Sequence, residues 1–331
     1  MSLSDAERET LLRAAATAPS MHNTQPWRFR FTDEAVEVYR DRDRELPAED
    51  PDSRMLHLAL GAAVFNLRVA AAHLGYGTRP RAAHDSGRPD LVVEVELGPA
   101  DAGVESLAAL HPVLPQRRTN RNPYLDRRVP NDVRTLLSLS AESEGASLDW
   151  VDDLVRLHYL RLTTAEADME DGFDQARTSE RRRWVGGERS TEGVPTSALG
   201  PRPRIRSTPV RDLAATPADA RRPAAEFEAH SQLAVLSTGQ DTPDEWLRAG
   251  QAMERVLLEA TAHGVATSLL NQAIEHRQLR WLVRDPLGPW NQPQAVIRFG
   301  YGPPVPPTPR RPIADVVQPG EPTTSATDES A

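Results

Sequence analysis

The chain has 331 residues; its 39 basic residues are all arginine, against 48 acidic ones and no cysteine, for a formal net charge of −9. The absent cysteine excludes a disulfide framework, a cysteine nucleophile and cysteine-ligated metal sites, and the absent lysine excludes Schiff-base chemistry and a Walker A lysine. The acidic balance argues against nucleic acid as a partner; the lack of ~18 uninterrupted apolar residues argues against a membrane, and Met1 to Arg13 lacks a signal-peptide pattern, so a soluble cytoplasmic protein is expected.

A helix is expected over Ser4 to Ala18, where Ser4 and Glu7 have capping-box spacing and Pro19 ends the pattern. Two short strands follow, Trp27 to Phe31 and Val36 to Tyr39, around a turn at Asp33-Glu34. Leu56, Leu60, Ala63, Val64, Leu67, Ala71 and Leu74 then form a helical apolar stripe, stopped by Gly75 and Gly77. A strand is expected over Leu91 to Leu97.

The same helix-and-strand pattern recurs downstream. The second helix carries Trp246, Ala249, Met253, Val256, Leu257 and Ala260, and its strand is Gln294 to Phe299. Gly61 precedes Gly75 by 14 residues, and Gly250 precedes Gly264 by 14. Trp27 lies 34 residues before Gly61 and Trp150 lies 100 before Gly250, so the second copy holds about 66 extra residues. These are expected at about 168–222, a stretch rich in Pro and Arg, read as a surface excursion or a lid. The expected division is a first repeat over 1–110, a second over 111–317 and a disordered tail over 318–331.

Three segments stand out for chemistry. Ala18 to Trp27 packs Ser20, His22, Asn23, Thr24 and Gln25 between Pro19 and Pro26; it is either a self-capped turn or a surface for a polar planar ligand. Gln116 to Pro123 holds Arg117, Arg118, Thr119 and Arg121, a set suited to phosphate or to a solvated face. Pro307 to Val317 holds Arg310 and Arg311 on a proline-stiffened stretch after the last strand. The nine histidines show no metal-type spacing.

Together these segments resemble the nitroreductase family of flavin enzymes, and its Acg-like branch in particular. The resemblance rests on Pro-Ser-x-x-Asn-x-Gln-Pro-Trp at 19–27, Arg-Arg-Thr-x-Arg at 117–121, His263-Gly264-Val265-Ala266-Thr267-Ser268, and Phe299-Gly300-Tyr301-Gly302 followed by Arg310-Arg311-Pro312-Ile313. It implies an α+β nitroreductase-like fold of two pseudo-repeats, each a small, mixed, mainly antiparallel sheet packed with helices. It implies non-covalent FMN, with Arg117, Arg118, Thr119, Arg121, Arg310 and Arg311 at the phosphate and ribityl end. Pro19, Ser20, Asn23 and Gln25 would line the ring, with Asn271 and Gln272 near its N5 edge. Each half holds one of the two complementary motifs, so one FMN per chain is expected in a monomeric pseudo-dimer. The family activity is NAD(P)H-dependent reduction of small nitro or quinone electrophiles. The competing expectation is FMN sequestration beneath a lid that blocks nicotinamide, with Glu192 to Pro195 resembling the closing segment.

Overall fold

The computed structural model describes residues 3–83, 85–204, 210–214, 216, 219–285 and 291–318. Helix α1 (Asp5–Ala16) starts at a capping box: the Glu7 amide donates to Ser4 Oγ at 3.3 Å, and Glu7 Oε2 accepts from the Ser4 amide at 2.8 Å. Strands β1 (Trp27–Phe31) and β2 (Ala35–Arg40) follow, then the long helix α2 (Arg54–His73), β3 (Tyr76–Ala82) and β4 (Leu91–Pro99). The second lobe has α4 (Asn131–Ser143), after a short α3 (Val104–Ala108), then β5 (Ser147–Trp150), β8 (Gln232–Thr238), α7 (Pro243–Ala262), β9 (Ala266–Leu269) and β10 (Gln292–Gly300). Between β5 and β8 lie α5 (Leu154–Phe173), α6 (Gln175–Trp184) and the two-residue strands β6 (Arg202–Pro203) and β7 (Ala224–Ala225). Short helices α8 (Gln272–Glu275) and α9 (Arg277–Arg280) connect β9 to β10.

The sheets run β1-β2-β4-β3 and β5-β8-β10-β9. Substituting β5, β8, β9 and β10 for β1, β2, β3 and β4 converts one order into the other, so the duplication read from the helices extends to the strands. Every pairing inside these two sheets is antiparallel; the parallel pair is β6 with β7. Strands β3, β8 and β9 carry weak apolar alternation and are not visible in the sequence pattern.

Helices α2 and α7 pack against each other at the centre of the molecule. Helix α2 is long and apolar enough to span a membrane, but most of it is buried in this core. The crossing explains the two equally spaced glycines. A Cβ on Gly61 would lie 2.1 Å from the Leu247 carbonyl oxygen, and a Cβ on Gly250 would lie 2.1 Å from that of Leu58. The two contacts are images of each other, which puts the pseudo-twofold axis between these helices.

The lobes differ where the sequence predicts extra residues. The β1–β2 connection is a tight turn over Thr32 to Glu34, whereas β5 connects to β8 through residues 151–231. That excursion brackets the expected 168–222, because α5 begins almost directly after β5. The tail expected from 318 lies outside the described residues from 319 onward.

Candidate functional site

Three loops, one after each of α1, β10 and the α3 region, meet at the lobe boundary. The first is the 17–26 connection between α1 and β1. Here His22, Asn23 and Gln25 have φ of 48°, 57° and 53°. Three left-handed non-glycine residues within four positions cost on the order of 1 kcal/mol each or more, and persist only where surrounding bonds hold them. Those bonds are present. The Gln25 amide donates to Ser20 Oγ at 2.9 Å, the Gly193 amide donates to the Asn23 carbonyl at 3.1 Å, and Asn23 Nδ2 donates to the carbonyls of Gly193 and Pro309 at 2.9 and 3.0 Å.

One end of the resulting cleft is cationic. Arg117, Arg118, Thr119 and Arg310 line it together with Pro19, Ser20 and Asn23. Burial and then the neighbouring Arg117 and Arg118 hold the Arg310 pKa down, and burial and Arg117 do the same for Arg118. Arg310 is fixed by donation to Asn23 Oδ1 at 3.0 Å, Thr308 Oγ1 at 2.7 Å and the Thr17 carbonyl at 3.0 Å. Its Nε has no hydrogen-bond partner among the described residues. Three mutually repelling guanidinium groups and a hydroxyl suit a phosphate better than any neutral ligand.

The other end is apolar. It is walled by Met55, Leu58 and Ala59 of α2, Met253 of α7 and Leu269 of β9, with Asn271 and His22 at its edge. Pro19, Ser20, His22, Thr119 and Arg121 line both, so the two cavities adjoin as the two ends of one site. Asn271 Oδ1 accepts from the Val296 amide at 3.0 Å, which fixes its orientation.

Three expected site residues lie outside this lining. Gln25 is fully buried: Oε1 accepts from the Arg311 amide at 2.8 Å and Nε2 donates to the Thr191 carbonyl at 2.8 Å. Arg311 is buried against Asp41 at 3.2 Å and donates to the Gln25 carbonyl at 3.0 Å. Gln272 is fully buried behind Asn271. Gln25 and Arg311 thus fasten the loops that carry Asn23 and Arg310.

The 151–231 excursion closes over the cleft. Val194, Ser197, Ala198 and Gly200 line the cationic end, and Arg211 and Leu213 line the apolar end. A buried ion-pair network runs through it and joins it to the rest of the chain at Arg211–Glu275 and Arg181–Glu49. Arg211 meets Glu275 at 2.5 Å, Arg181 meets Glu49 at 2.5 Å and Asp171 at 2.6 Å, Arg177 meets Asp171 at 2.7 Å, and His22 meets Glu49 at 2.5 Å. Burial pushes Glu49 up, but His22, Arg181 and Arg211 outweigh it and bring its pKa to about 2. This network was not legible in advance, because its members are spread from His22 to Glu275.

The pseudo-symmetric connection is much shorter. The connection from α4 to β5 is only Glu144 to Ala146, where the first lobe spends ten residues. Glu144 accepts from Arg68 at 2.6 Å and Arg255 at 2.9 Å there.

Sequence reading also missed Glu254. It is fully buried in α7 beneath the cationic end, 3.2 Å from Arg117 Nε. Burial raises its pKa to about 7 from an ordinary 4.5, against the opposing pull of Arg117, Asn66 and Arg310. The clue was an acidic residue on the helix face shared by Gly250, Met253 and Leu257. Its pseudo-symmetric counterpart is Phe65, four residues after Gly61 as Glu254 is four after Gly250, so only one lobe carries the charge. A carboxyl with a raised pKa is neutral below it and anionic above it, and the anion competes with a phosphate for Arg117. Stability from this group is therefore present below pH 4.5 and declines as pH rises through about 7. Relative to Glu254→Gln, the wild-type affinity for a phosphate ligand should fall about tenfold as pH goes from about 6 to about 8. Isothermal titration at both pH values checks this.

No family model matches the chain. Over 328 aligned residues it is 34% identical to "Putative NAD(P)H nitroreductase Rv3131" of Mycobacterium tuberculosis, covering 95% of this chain and 92% of that protein. It is 31% identical over 314 residues to "Putative NAD(P)H nitroreductase acg" of the same organism, covering 93% and 94%. Among solved structures it aligns with a nitroreductase with bound FMN from Desulfitobacterium hafniense DCB-2 at 10% identity and a TM-score of 0.40, covering 64% of this chain and 98% of that one.

Proposed function

We propose, from the premise that this chain belongs to the nitroreductase family, that it binds one FMN non-covalently and acts as a flavin oxidoreductase on small nitro or quinone electrophiles. The observation that carries this reading is the cleft itself, with Arg117, Arg118, Thr119 and Arg310 at one end and Leu58, Ala59 and Met253 at the other. The donor set fits the group. Among the described residues Arg310 Nε is buried without a partner and Glu254 is the one carboxylate that balances the three cations, and the apolar end suits a flat ring. FMN, when bound, supplies a ring able to accept a hydride and hand it on. The protein's part is to hold the phosphate, to present Pro19, Ser20, Asn23 and Asn271 along the cleft, and to exclude water with the 151–231 excursion.

That excursion favours a second reading, FMN sequestration. Its residues line both ends of the cleft, where a nicotinamide would need to enter. The two readings part in one experiment. Anaerobic NADH or NADPH is added to the FMN-loaded protein and the visible flavin absorbance followed. Rapid bleaching supports the oxidoreductase; no bleaching, with dithionite still effective, supports sequestration. A protein that binds no FMN overturns both.

A further inference from the structure

The outer face of α5 is apolar in a way that the cleft does not explain. Of the eleven large apolar side chains that are exposed among the described residues, six are on α5 and two, Trp281 and Leu282, are beside its N-terminal end. Val155, Tyr159, Leu162, Met169 and Phe173 are 62%, 61%, 53%, 52% and 88% exposed. With Glu166 they recur at alternate steps of four and three, the seam of a coiled coil. Scattered apolar residues on a surface need no explanation, but a contiguous stripe of this length does.

The stripe is symmetric about its own middle. Laid antiparallel against a second α5, Val155 comes opposite Phe173, Tyr159 opposite Met169, and Leu162 opposite Glu166. The charges follow the same symmetry. Arg156, which meets Asp285 at 3.3 Å, His158 and Arg161 occupy the first half of the helix, and Glu166, Asp168, Glu170 and Asp171 the second. Antiparallel pairing therefore sets the exposed Glu166 beside Arg161 of the partner subunit, while Glu170 is held within its own chain by His276 and Gln278. A parallel pairing would set like charges together. The ends match in shape as well. Phe173, the most exposed of these side chains, would enter the groove that Val155, Tyr159, Trp281 and Leu282 form at the other end of the helix.

We propose that the outer face of α5 docks on α5 of a second copy of this chain, forming a twofold antiparallel homodimer. Such an isologous contact is self-complementary by construction. The exposed area of the eight side chains is on the scale of the ~800 Å² per partner that a standard interface buries. The proposal does not rest on flavin. The composite cleft needs no second chain; the α5 face does, and it takes the place of the monomer expected from the pseudo-dimer alone.

The chain has no cysteine, so introduced thiols report unambiguously. Val155→Cys and Phe173→Cys proteins are prepared separately, mixed and oxidised, and the full chain is weighed by sedimentation. The expected results are a wild-type mass of two 36.5 kDa chains, cross-linking that needs both cysteine variants together, and for Phe173→Asp a folded monomer whose melting temperature no longer rises with protein concentration. A wild type that is monomeric at ~100 μM, well above the Kd expected of a standard-size interface, overturns the proposal. So does a dimer that survives Phe173→Asp without mixed cross-linking, since that dimer uses another surface. A monomer that instead binds anionic vesicles through this face also overturns it.

Discussion

Replacing Arg117 and Arg310 together with alanine should lower the affinity for FMN at least ~100-fold. Hydrogen bonds to charged groups contribute about 1.5–3 kcal/mol each, so two lost guanidinium groups remove roughly 3 kcal/mol or more. Both line the cationic end of the cleft, and burial already strains the positive charge that a phosphate would relieve. The double variant also leaves Glu254 buried without its partner at 3.2 Å, which by itself destabilises the fold. Two comparisons separate these effects. Adding Glu254→Gln restores the melting temperature but leaves FMN weakly held. Riboflavin, which lacks the phosphate, binds the wild type and the triple variant alike. If FMN affinity in the triple variant equals that of the wild type, the phosphate is held elsewhere.

Gly250→Ala should lower the melting temperature by several degrees, where alanine for glycine inside a helix would ordinarily stabilise by about 1 kcal/mol. The sign reverses because the added Cβ would sit 2.1 Å from the Leu58 carbonyl oxygen, a backbone atom that cannot turn aside. The two central helices must spread, and overpacking of this kind costs typically ~1–3 kcal/mol, with more where backbone is involved. Gly61→Ala should behave alike, through Leu247. Gly172→Ala, in open space on α5, should leave stability unchanged or slightly higher. Since Leu58, Ala59 and Met253 wall the apolar end, Gly250→Ala should weaken FMN binding as well. A melting temperature equal to or above the wild type would contradict the close crossing.

Local signals in the sequence account for the elements that were legible. The Ser4–Glu7 box, the α2 stripe and the paired glycine spacings are short-range patterns, and each reappears in the fold. The loops that meet at the cleft were legible as well, because unusual polar density between prolines is visible without knowing what it faces. Long-range partners were not. Gln25 and Asn23 look alike in sequence as polar loop residues, yet Asn23 lines the cleft and Gln25 turns inward to the Arg311 amide. Arg310 and Arg311 are neighbours, and their side chains part: one lines the cationic end and the other meets Asp41. Glu254 and the latch around Asp171 depend on which helices cross, and no periodicity encodes that. The 151–231 excursion begins before its proline-rich stretch because α5 has an ordinary helical composition that hides the boundary.

We propose that the duplicated chain retains one composite flavin site and that the short Glu144 to Ala146 turn leaves no room for its mirror image. Equilibrium dialysis of the purified chain against FMN tests it most directly, with bound flavin counted per chain by absorbance after denaturation. Saturation at one FMN per chain is the predicted result; saturation at two, or no retention, would contradict it.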